Sequence, residues 1–273
     1  MQNYKICIIG AGKMGRAISR GIIEKKVCAA AEIIITSRTE NELESLKPLG
    51  TALSTDNLSA LKGAETVIIC VLPQQFDNLM RQIGCAFQPD QTLISIVTGV
   101  TLENIRKYVG DGPAIVRAMP NTAITIGHSM TCLATDAKDD KITISRAQKI
   151  FDAVGKTLVI EEDKMSAATA LCACGIAFFL RAIRAASQGG IEIGFHSEEA
   201  LLMAAQTALG AGALLTELGQ HPEHEIDNVT SPQGCTIAGL NQMEHNGFSS
   251  ALIKGIVTSA QKAGCLYQGC KKD

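Results

Sequence analysis

A glycine-rich motif near the start of the chain constrains its fold more than any other feature. Residues 10–15 read Gly-Ala-Gly-Lys-Met-Gly, between an apolar strand predicted over residues 5–9 and a helix predicted over residues 16–26. In a dinucleotide-binding turn the first glycine permits the turn, the second lets the backbone approach pyrophosphate, and the third lets the helix pack on the strand. A glycine-rich turn without a ligand is the alternative. The motif predicts a cofactor site that includes Gly10, Gly12, Lys13, Met14 and Gly15.

Short β-branched runs alternate with helical segments over the first part of the chain. Beyond the first strand, buried strands are predicted over residues 32–36, 66–71, 92–97 and 114–119. This alternation is typical of a parallel sheet with right-handed crossovers. We therefore expect an α/β Rossmann-type dinucleotide-binding domain over residues 1–160.

The pattern becomes helical in the second part of the chain, and we expect an all-α domain over residues 161–273. Residues 165–180 are the most apolar stretch; they are too short to span a membrane and predict a buried helix. Small residues, which allow helices to approach closely, are frequent in the predicted helices over residues 165–188, 197–218, 233–246 and 249–266.

The end of the second predicted strand distinguishes NADP from NAD. An enzyme that binds NAD normally places an acidic residue there for the ribose hydroxyls. This strand instead ends Thr36-Ser37-Arg38-Thr39. A carboxylate would repel a 2′-phosphate, whereas the Arg38 guanidinium can bind it with two hydrogen bonds. Ser37 and Arg38 therefore predict NADP(H) as the cofactor, with NAD(H) bound less well; the alternative for Arg38 is an ordinary surface arginine.

Composition argues against several classes of partner. The 273 residues carry a net charge of −2 with dispersed basic residues, which gives no electrostatic footprint for nucleic acid or an anionic membrane. We expect no secretory signal, and the ten cysteines then indicate a reducing, cytoplasmic compartment.

Cys172 and Cys174 are too close together for a zinc knuckle and lack a second pair. His221 and His224 flank what we expect to be a solvated turn, so no metal site is predicted.

A motif in the helical half carries a family resemblance. Residues 227–240 read Asp-Asn-Val-Thr-Ser-Pro-Gln-Gly-Cys-Thr-Ile-Ala-Gly-Leu. They resemble the substrate loop of the pyrroline-5-carboxylate reductase family, whose pattern there is close to D-N-V-x-S-P-G-G-T-T-x-x-G. The resemblance extends almost end to end, through the glycine motif and the segments 99–101, 117–121, 161–163, 169–171 and 247–253. It implies further residues of the cofactor site, namely Asn57, Leu72, Pro73, Thr98 and Asn121.

The chain departs from the family pattern most clearly at residues 172–177. These read Cys-Ala-Cys-Gly-Ile-Ala, where the family usually has S-G-S-G-P-A. We expect this segment to line the substrate cavity, with Gly175 as a substrate-binding residue; packing within the helical core is the alternative. Because Ile176 replaces a proline, the helix is expected to run straighter here.

Smaller departures occur at two other places. Leu72 stands where the family usually has a lysine before Pro73, and Gln233 and Cys235 stand where Gly and Thr are usual. These changes leave the fold assignment intact and leave the identity of the substrate open.

The substrate loop has the chemistry of a carboxylate site. Ser231 and Pro232 are typical of a helix N-cap and a first helical residue. The backbone N–H groups of Gly234, Cys235 and Thr236 would then lack intrahelical partners and form an anion site. The Thr236 hydroxyl would serve beside it as the catalytic hydrogen-bond partner of a ring nitrogen. These residues are the predicted substrate site, and a plain capped helix is the alternative.

The resemblance implies a reaction, the NADPH-dependent reduction of the cyclic imine 1-pyrroline-5-carboxylate to L-proline, the last step of proline biosynthesis. A protonated imine is already electrophilic, so the protein mainly orients two ligands and needs no strong general base. The runner-up class, the β-hydroxyacid dehydrogenases, would place a lysine on the first long helix of the second domain, and residues 165–188 contain none.

Two alternatives on the same fold are a paralogue with an altered imine substrate and an inactive NADP-binding regulator. The resemblance also implies a dimerisation and substrate domain over residues 161–273, and hence a homodimer or a higher oligomer.

Overall fold

The computed structural model describes residues 4–136 and 141–264. In these residues eight strands form one sheet in the order β3-β2-β1-β4-β5-β6-β7-β8. The strands are β1 (Tyr4–Ile9), β2 (Ile33–Thr36), β3 (Ala52–Ser54), β4 (Ala64–Ile69), β5 (Thr92–Ser95), β6 (Ala114–Met119), β7 (Ser129–Thr135) and β8 (Gly155–Val159).

Strands β1 to β6 are parallel, and β1 lies between β2 and β4. The chain therefore passes from one side of β1 to the other between β3 and β4, a reversal that opens a ligand crevice at the carboxyl ends of the strands. Strand β7 is antiparallel to β6 and parallel to β8. The predicted parallel α/β sheet is confirmed, and the structure adds β3, β7 and β8, which we did not predict.

Helices flank the sheet and then continue alone toward the end of the described chain. A π-helical segment, Thr169–Cys174, joins α7 to α8. The helices are α1 (Lys13–Glu24), α2 (Glu40–Glu44), α3 (Asn57–Lys62), α4 (Pro73–Ile83), α5 (Leu102–Val109), α6 (Lys141–Asp152), α7 (Met165–Ala168), α8 (Gly175–Glu192), α9 (Ser197–Leu218), α10 (Pro222–Asn228), α11 (Cys235–His245) and α12 (Phe248–Gly264).

Apolar side chains pack on both faces of the sheet. One core cluster buries Ile8 with Ile18 of α1 and Phe151 of α6. The cluster on the other face buries Ile9 with Phe76 of α4. Consecutive strand residues point to opposite faces, so helices that cover both faces bury every position of a central strand. This is why residues 6–9 of β1, 33–35 of β2 and 67–69 of β4 read as apolar runs in the sequence.

The chain divides into two compact units. The first runs to Cys174 and also contains residues 259–264, and the second is Gly175–Thr258. This boundary differs from the expected one after residue 160. The start of the helical half belongs to the first unit because Met165 is buried in a small cluster with Cys132 of β7 and Met119 of β6.

The second unit consists of α8 to α11 and most of α12. Helices α8 and α9 pack against each other. At their contact a Cβ atom on Gly190 would lie 2.9 Å from the Cβ of Ala200. Small residues therefore bring these two helices into close contact, in agreement with the sequence pattern.

Much of the apolar surface of the long helices is uncovered in a single chain. The stretches Glu162–Glu192 and Ser197–Leu218 are long and apolar enough to cross a membrane by length and composition, with mean hydropathies of 1.8 and 1.4. Phe179 and Leu180 of α8 are exposed. The prediction of a buried helix over residues 165–180 is therefore wrong for the isolated chain, because apolar composition does not say which chain covers a helix.

Candidate active site

A cavity of about 720 Å³ lies in the first unit at the carboxyl ends of the strands. This is where the reversal of strand order on either side of β1 places a ligand crevice. Ten of the twelve residues predicted to bind the cofactor line it: Gly10, Gly12, Lys13, Met14, Ser37, Arg38, Asn57, Leu72, Pro73 and Thr98.

The glycine loop forms the floor of this cavity, and its three glycines have different surroundings. Gly10 has a φ of +117°, and a Cβ atom there would lie 2.5 Å from the carbonyl oxygen of Cys70. A Cβ atom on Gly15 would lie 2.1 Å from the carbonyl oxygen of Gly10. Gly10 and Gly15 are therefore required by the fold itself, and Gly15 does not line the cavity.

Gly12 differs because a Cβ atom there would meet nothing within 4 Å. Gly12 is also the N-cap residue of α1, and no side chain caps that helix. The first N–H groups of α1 lack intrahelical acceptors and favour an anion. The open space above Gly12 thus lies where a pyrophosphate would approach the backbone.

The end of β2 presents the two side chains predicted to select NADP. Ser37 and Arg38 both line the cavity. With its amide oxygen turned toward Arg38, Gln75 of α4 accepts hydrogen bonds from the two terminal guanidinium nitrogens at 3.1 and 3.2 Å. Gln75 therefore holds Arg38 over the cavity, a contact that we did not predict from the sequence.

An acidic residue, Glu42, also lines this end of the cavity. Its carboxylate accepts a hydrogen bond from the hydroxyl of Ser37. The strand end itself, residues 36–39, contains no acidic residue, but Glu42 brings a carboxylate to Ser37 in space. Glu42 was missed because it reaches the site from α2. The short connection between the end of β2 and Glu40 was the available signal.

Polar contacts fix the rim of the cavity. Arg16 donates from Nε to the carbonyl oxygen of Ala11 at 2.6 Å and from Nη2 to the carbonyl oxygen of Glu42 at 3.0 Å. It thereby ties the glycine loop to α2. The hydroxyl of Thr36 donates to Oδ1 of Asn57 at 2.6 Å, which anchors the start of α3 beside β2.

The far wall of the cavity is formed by Thr98, Met119 and Ala173, among others. Asn121, predicted to bind the cofactor, lies outside the lining. Its side chain accepts from the backbone N–H of Ala123 at 3.0 Å and donates to the carbonyl oxygen of Cys172 at 3.3 Å. Asn121 thus fixes the π-helical segment that carries Ala173.

The predicted substrate loop belongs to the second unit, and its helix starts later than expected. The N-cap of α11 is Gly234 rather than Ser231. The backbone N–H of Gly234 donates to the carbonyl oxygen of Ser231 at 2.9 Å and so closes a turn. The free N–H groups at the start of the helix are therefore those of Cys235, Thr236 and Ile237. The helix N-terminus lies three residues further along because the chain makes this turn first.

Gln233 explains why the turn precedes the helix. Its φ is +56°, in the left-handed region that glycine adopts without strain. The family pattern has glycine at this position, so the same turn is compatible with that pattern. Thr236 is the second residue of α11 and is half-buried, whereas Gly175, also predicted to bind substrate, is the buried first residue of α8.

Among residues 4–136 and 141–264, the histidine and cysteine side chains form no cluster that could bind a metal ion. In the described ranges no group of three or more His, Cys, Asp or Glu residues could hold a metal ion. Nδ1 of His221 accepts from the backbone N–H of Glu223 at 3.3 Å and caps α10. His221 therefore has a structural role as the cap of α10.

Two family models match the chain over most of its length. Residues 5–99 match the model for an NADP oxidoreductase, coenzyme F420-dependent, and residues 162–266 match the model for pyrroline-5-carboxylate reductase dimerisation. Pyrroline-5-carboxylate reductase 2 of Dictyostelium discoideum is 44% identical, over 96% of this chain and 92% of its own length. This chain belongs to the pyrroline-5-carboxylate reductase family.

Other members of the pyrroline-5-carboxylate reductase family support the assignment. Pyrroline-5-carboxylate reductase 1 of Dictyostelium discoideum is 50% identical over 96% of this chain, which spans half the length of that relative. A solved pyrroline-5-carboxylate reductase structure from Coxiella burnetii matches with a TM-score of 0.90 at 28% identity, covering 96% of this chain and 98% of its own. The Rossmann-type domain followed by a helical domain is therefore the fold of the family.

The match to the dimerisation model of the pyrroline-5-carboxylate reductase family suggests why apolar helices are exposed in a single chain. It covers α8 and α9, where one chain leaves side chains such as Phe179 and Leu202 uncovered. Association with another copy would bury this surface, which a single chain cannot do. The match thus supports self-association through the helical half.

The segment that departs most from the pyrroline-5-carboxylate reductase pattern is not a straight helix. Residues 169–174 are π-helical although Ile176 replaces the usual proline. A helix straighter than that of the family pattern stays a prediction. A π-helical turn widens a helix without a proline. Ala173 lines the cofactor cavity, which places this part of the segment at a site wall.

Proposed function

We propose that this chain reduces 1-pyrroline-5-carboxylate to L-proline with NADPH. The observation that carries the proposal is the cavity bounded by the glycine loop, Ser37 and Arg38, in a chain of the pyrroline-5-carboxylate reductase family. The cavity has a phosphate-binding loop at its floor and a guanidinium at the end of β2. Both groups suit the two anionic parts of NADP(H).

The residues of the first unit would hold the cofactor at three places. Ser37 and Arg38 would bind the 2′-phosphate, and the open backbone at Gly12 would face the pyrophosphate. NADPH, when bound, supplies a hydride from C4 of its nicotinamide ring. The far wall of the cavity, which includes Met119 and Ala173, would orient the ring.

The second unit would bind the substrate at the start of α11. The N–H groups of Cys235, Thr236 and Ile237 point out of the helix end and would hold the substrate carboxylate. The Thr236 hydroxyl would contact the ring nitrogen. A protonated imine accepts hydride without prior activation by a strong base, so hydrogen bonding and orientation are sufficient.

We also propose that the chain acts as a cytoplasmic homodimer. The eight cysteines that the structure describes are all unpaired, as is usual in a reducing compartment. The apolar faces of α8 and α9 would be covered by the second copy. The same faces would fit a membrane by composition alone, and the dimerisation match favours self-association instead.

Purified protein should oxidise NADPH only when 1-pyrroline-5-carboxylate is added. Formation of proline equal to the NADPH consumed would support the proposal. Tight NADPH binding without turnover would favour the inactive regulator. Turnover with a six-membered cyclic imine acid, but not with 1-pyrroline-5-carboxylate, would favour the paralogue with an altered substrate.

A further inference from the structure

Two thiols face each other next to the cofactor cavity. Sγ of Cys132, on β7, lies 4.0 Å from Sγ of Cys172, in the π-helical segment. Cys132 is only 3% exposed, and Cys172 is half-buried. Both residues lie in the first unit, so the distance between their sulfurs is set within one compact unit. Cys172 is the more exposed of the two residues.

The contact makes the two sulfurs chemically unequal. The sulfur–sulfur contact with Cys132 lowers the pKa of Cys172, although burial acts in the opposite direction. The same contact, together with burial, raises the pKa of Cys132. Cys172 is therefore the more readily ionised of the two thiols, and the thiolate is the nucleophilic form of cysteine. By contrast, burial raises the pKa of Cys7 to about 12, which leaves that thiol inert.

We propose that Cys132 and Cys172 form a reversible disulfide when the protein meets a hydroperoxide. The Cys172 thiolate attacks the peroxide oxygen, the O–O bond breaks, and a sulfenic acid forms as hydroxide leaves. Sγ of Cys132 then attacks the sulfenic sulfur. The S–O bond breaks, the S–S bond forms, and the leaving hydroxide takes the Cys132 proton as water. Two thiols are oxidised, and one hydroperoxide is reduced.

Closing this disulfide changes the wall of the cavity. The two sulfurs must approach from 4.0 Å to about 2 Å, the length of an S–S bond. Strand β7 is held on both sides by β6 and β8, so the π-helical segment is the part that moves. Ala173, the next residue, lines the cavity, and the carbonyl oxygen of Cys172 accepts from Asn121. The disulfide therefore weakens NADP(H) binding, a consequence that rests on the proposed cofactor, whereas disulfide formation does not.

The test is peptide mapping of the full chain after hydrogen peroxide treatment, without reduction. We expect a Cys132–Cys172 linked peptide that dithiothreitol removes and that Cys174→Ser retains. In Cys132→Ser, a sulfenic acid at Cys172 should be trapped by dimedone. The exposed residues Cys85 and Cys235 serve as internal controls for general oxidation. Absence of the linked peptide, while Cys85 and Cys235 are oxidised, would overturn the proposal.

NADPH titration of the same samples tests the consequence. Oxidised protein should bind NADPH roughly fivefold or more weakly than reduced protein, and Cys172→Ser should show no such difference. A linked peptide with unchanged affinity would overturn the effect on the cavity and leave the disulfide established. If neither oxidised nor reduced protein binds NADPH, the proposed cofactor fails, and the peptide map still decides the disulfide.

Discussion

The Ser37 hydroxyl donates a hydrogen bond to the Glu42 carboxylate at the end of the cavity where a 2′-phosphate would bind. A phosphate placed there meets the Arg38 cation and the Glu42 anion together. Glu42 should therefore reduce the preference for NADPH that we propose for Arg38. We expect Glu42→Gln to strengthen NADPH binding by about 1 kcal/mol, the interaction of two unit charges about 4 Å apart in water. NADH binding should change less, and titration with both cofactors measures the difference.

Glu44→Gln is the matched control for this experiment. Glu44 lies in the same short helix, and its replacement by glutamine removes the same charge. Unlike Glu42, it does not line the cavity, and it pairs with Lys47 at 2.6 Å. An equal gain in NADPH affinity for both variants would mean that only net charge matters. The assignment of Glu42 to the phosphate pocket would then be wrong.

Arg38→Ala should weaken NADPH binding more than NADH binding. The guanidinium makes charge-assisted hydrogen bonds to a phosphate that NADH lacks, and losing one costs roughly 1.5–3 kcal/mol. Arg20→Ala, on the exposed side of α1, is the control for loss of a positive charge. Equal losses for the two cofactors would refute the contact between Arg38 and the 2′-phosphate.

Gly12→Ala should separate cofactor binding from folding. Its φ of −72° suits alanine, and the added Cβ meets no protein atom within 4 Å, so thermal stability should be nearly unchanged. The methyl group occupies the space above the loop, and we expect NADPH affinity to fall roughly tenfold or more, at least 1.4 kcal/mol. The measurements are a thermal melt and an NADPH titration.

Gly15→Ala provides the contrast within the same motif. Its Cβ would lie 2.1 Å from the carbonyl oxygen of Gly10, so the backbone must shift and the protein should lose roughly 1–3 kcal/mol of stability. A Gly12→Ala protein that melts as early as Gly15→Ala would show that the open space above Gly12 is needed by the fold rather than by the nucleotide.

The sequence was most informative where neighbours in the chain are also neighbours in the site. Gly10, Ser37 and Arg38 follow directly from strand ends, so a predicted strand places them. Gln75 and Glu42 reach the same cavity from helices whose orientation depends on packing. Strand periodicity alone could not bring them to Arg38 and Ser37.

Strand β7 was missed for a related reason. Its buried residues Ser129 and Thr131 are polar, and their hydroxyl oxygens lie 3.1 Å apart in a hydrogen bond. The Ser129 hydroxyl also accepts from the backbone N–H of Asn121. Polar groups that satisfy one another inside the protein remove the apolar pattern by which a strand is recognised.

The long helices should hold two copies together. Leu202 and Leu209 are 71% and 61% exposed and lie seven residues apart, on one face of α9. Sedimentation should show a dimer for the native protein at micromolar concentration, and Leu202→Glu with Leu209→Glu should shift it toward monomer. Ile126→Glu, at a residue of the first unit that is 72% exposed, should leave the dimer intact. A native protein that sediments only as monomer would contradict the proposed homodimer.

Transfer of a labelled hydride tests the central claim most directly. NADPH carrying deuterium on the transferred C4 position is mixed with 1-pyrroline-5-carboxylate and the full chain, and the product is examined by mass spectrometry and NMR. We predict L-proline with one deuterium on C5, the former imine carbon. With Gly12→Ala, at an NADPH concentration too low for this variant to bind the cofactor, we predict no labelled product. Bound NADPH with no deuterated proline would contradict the account and leave a nucleotide-binding protein without this reaction.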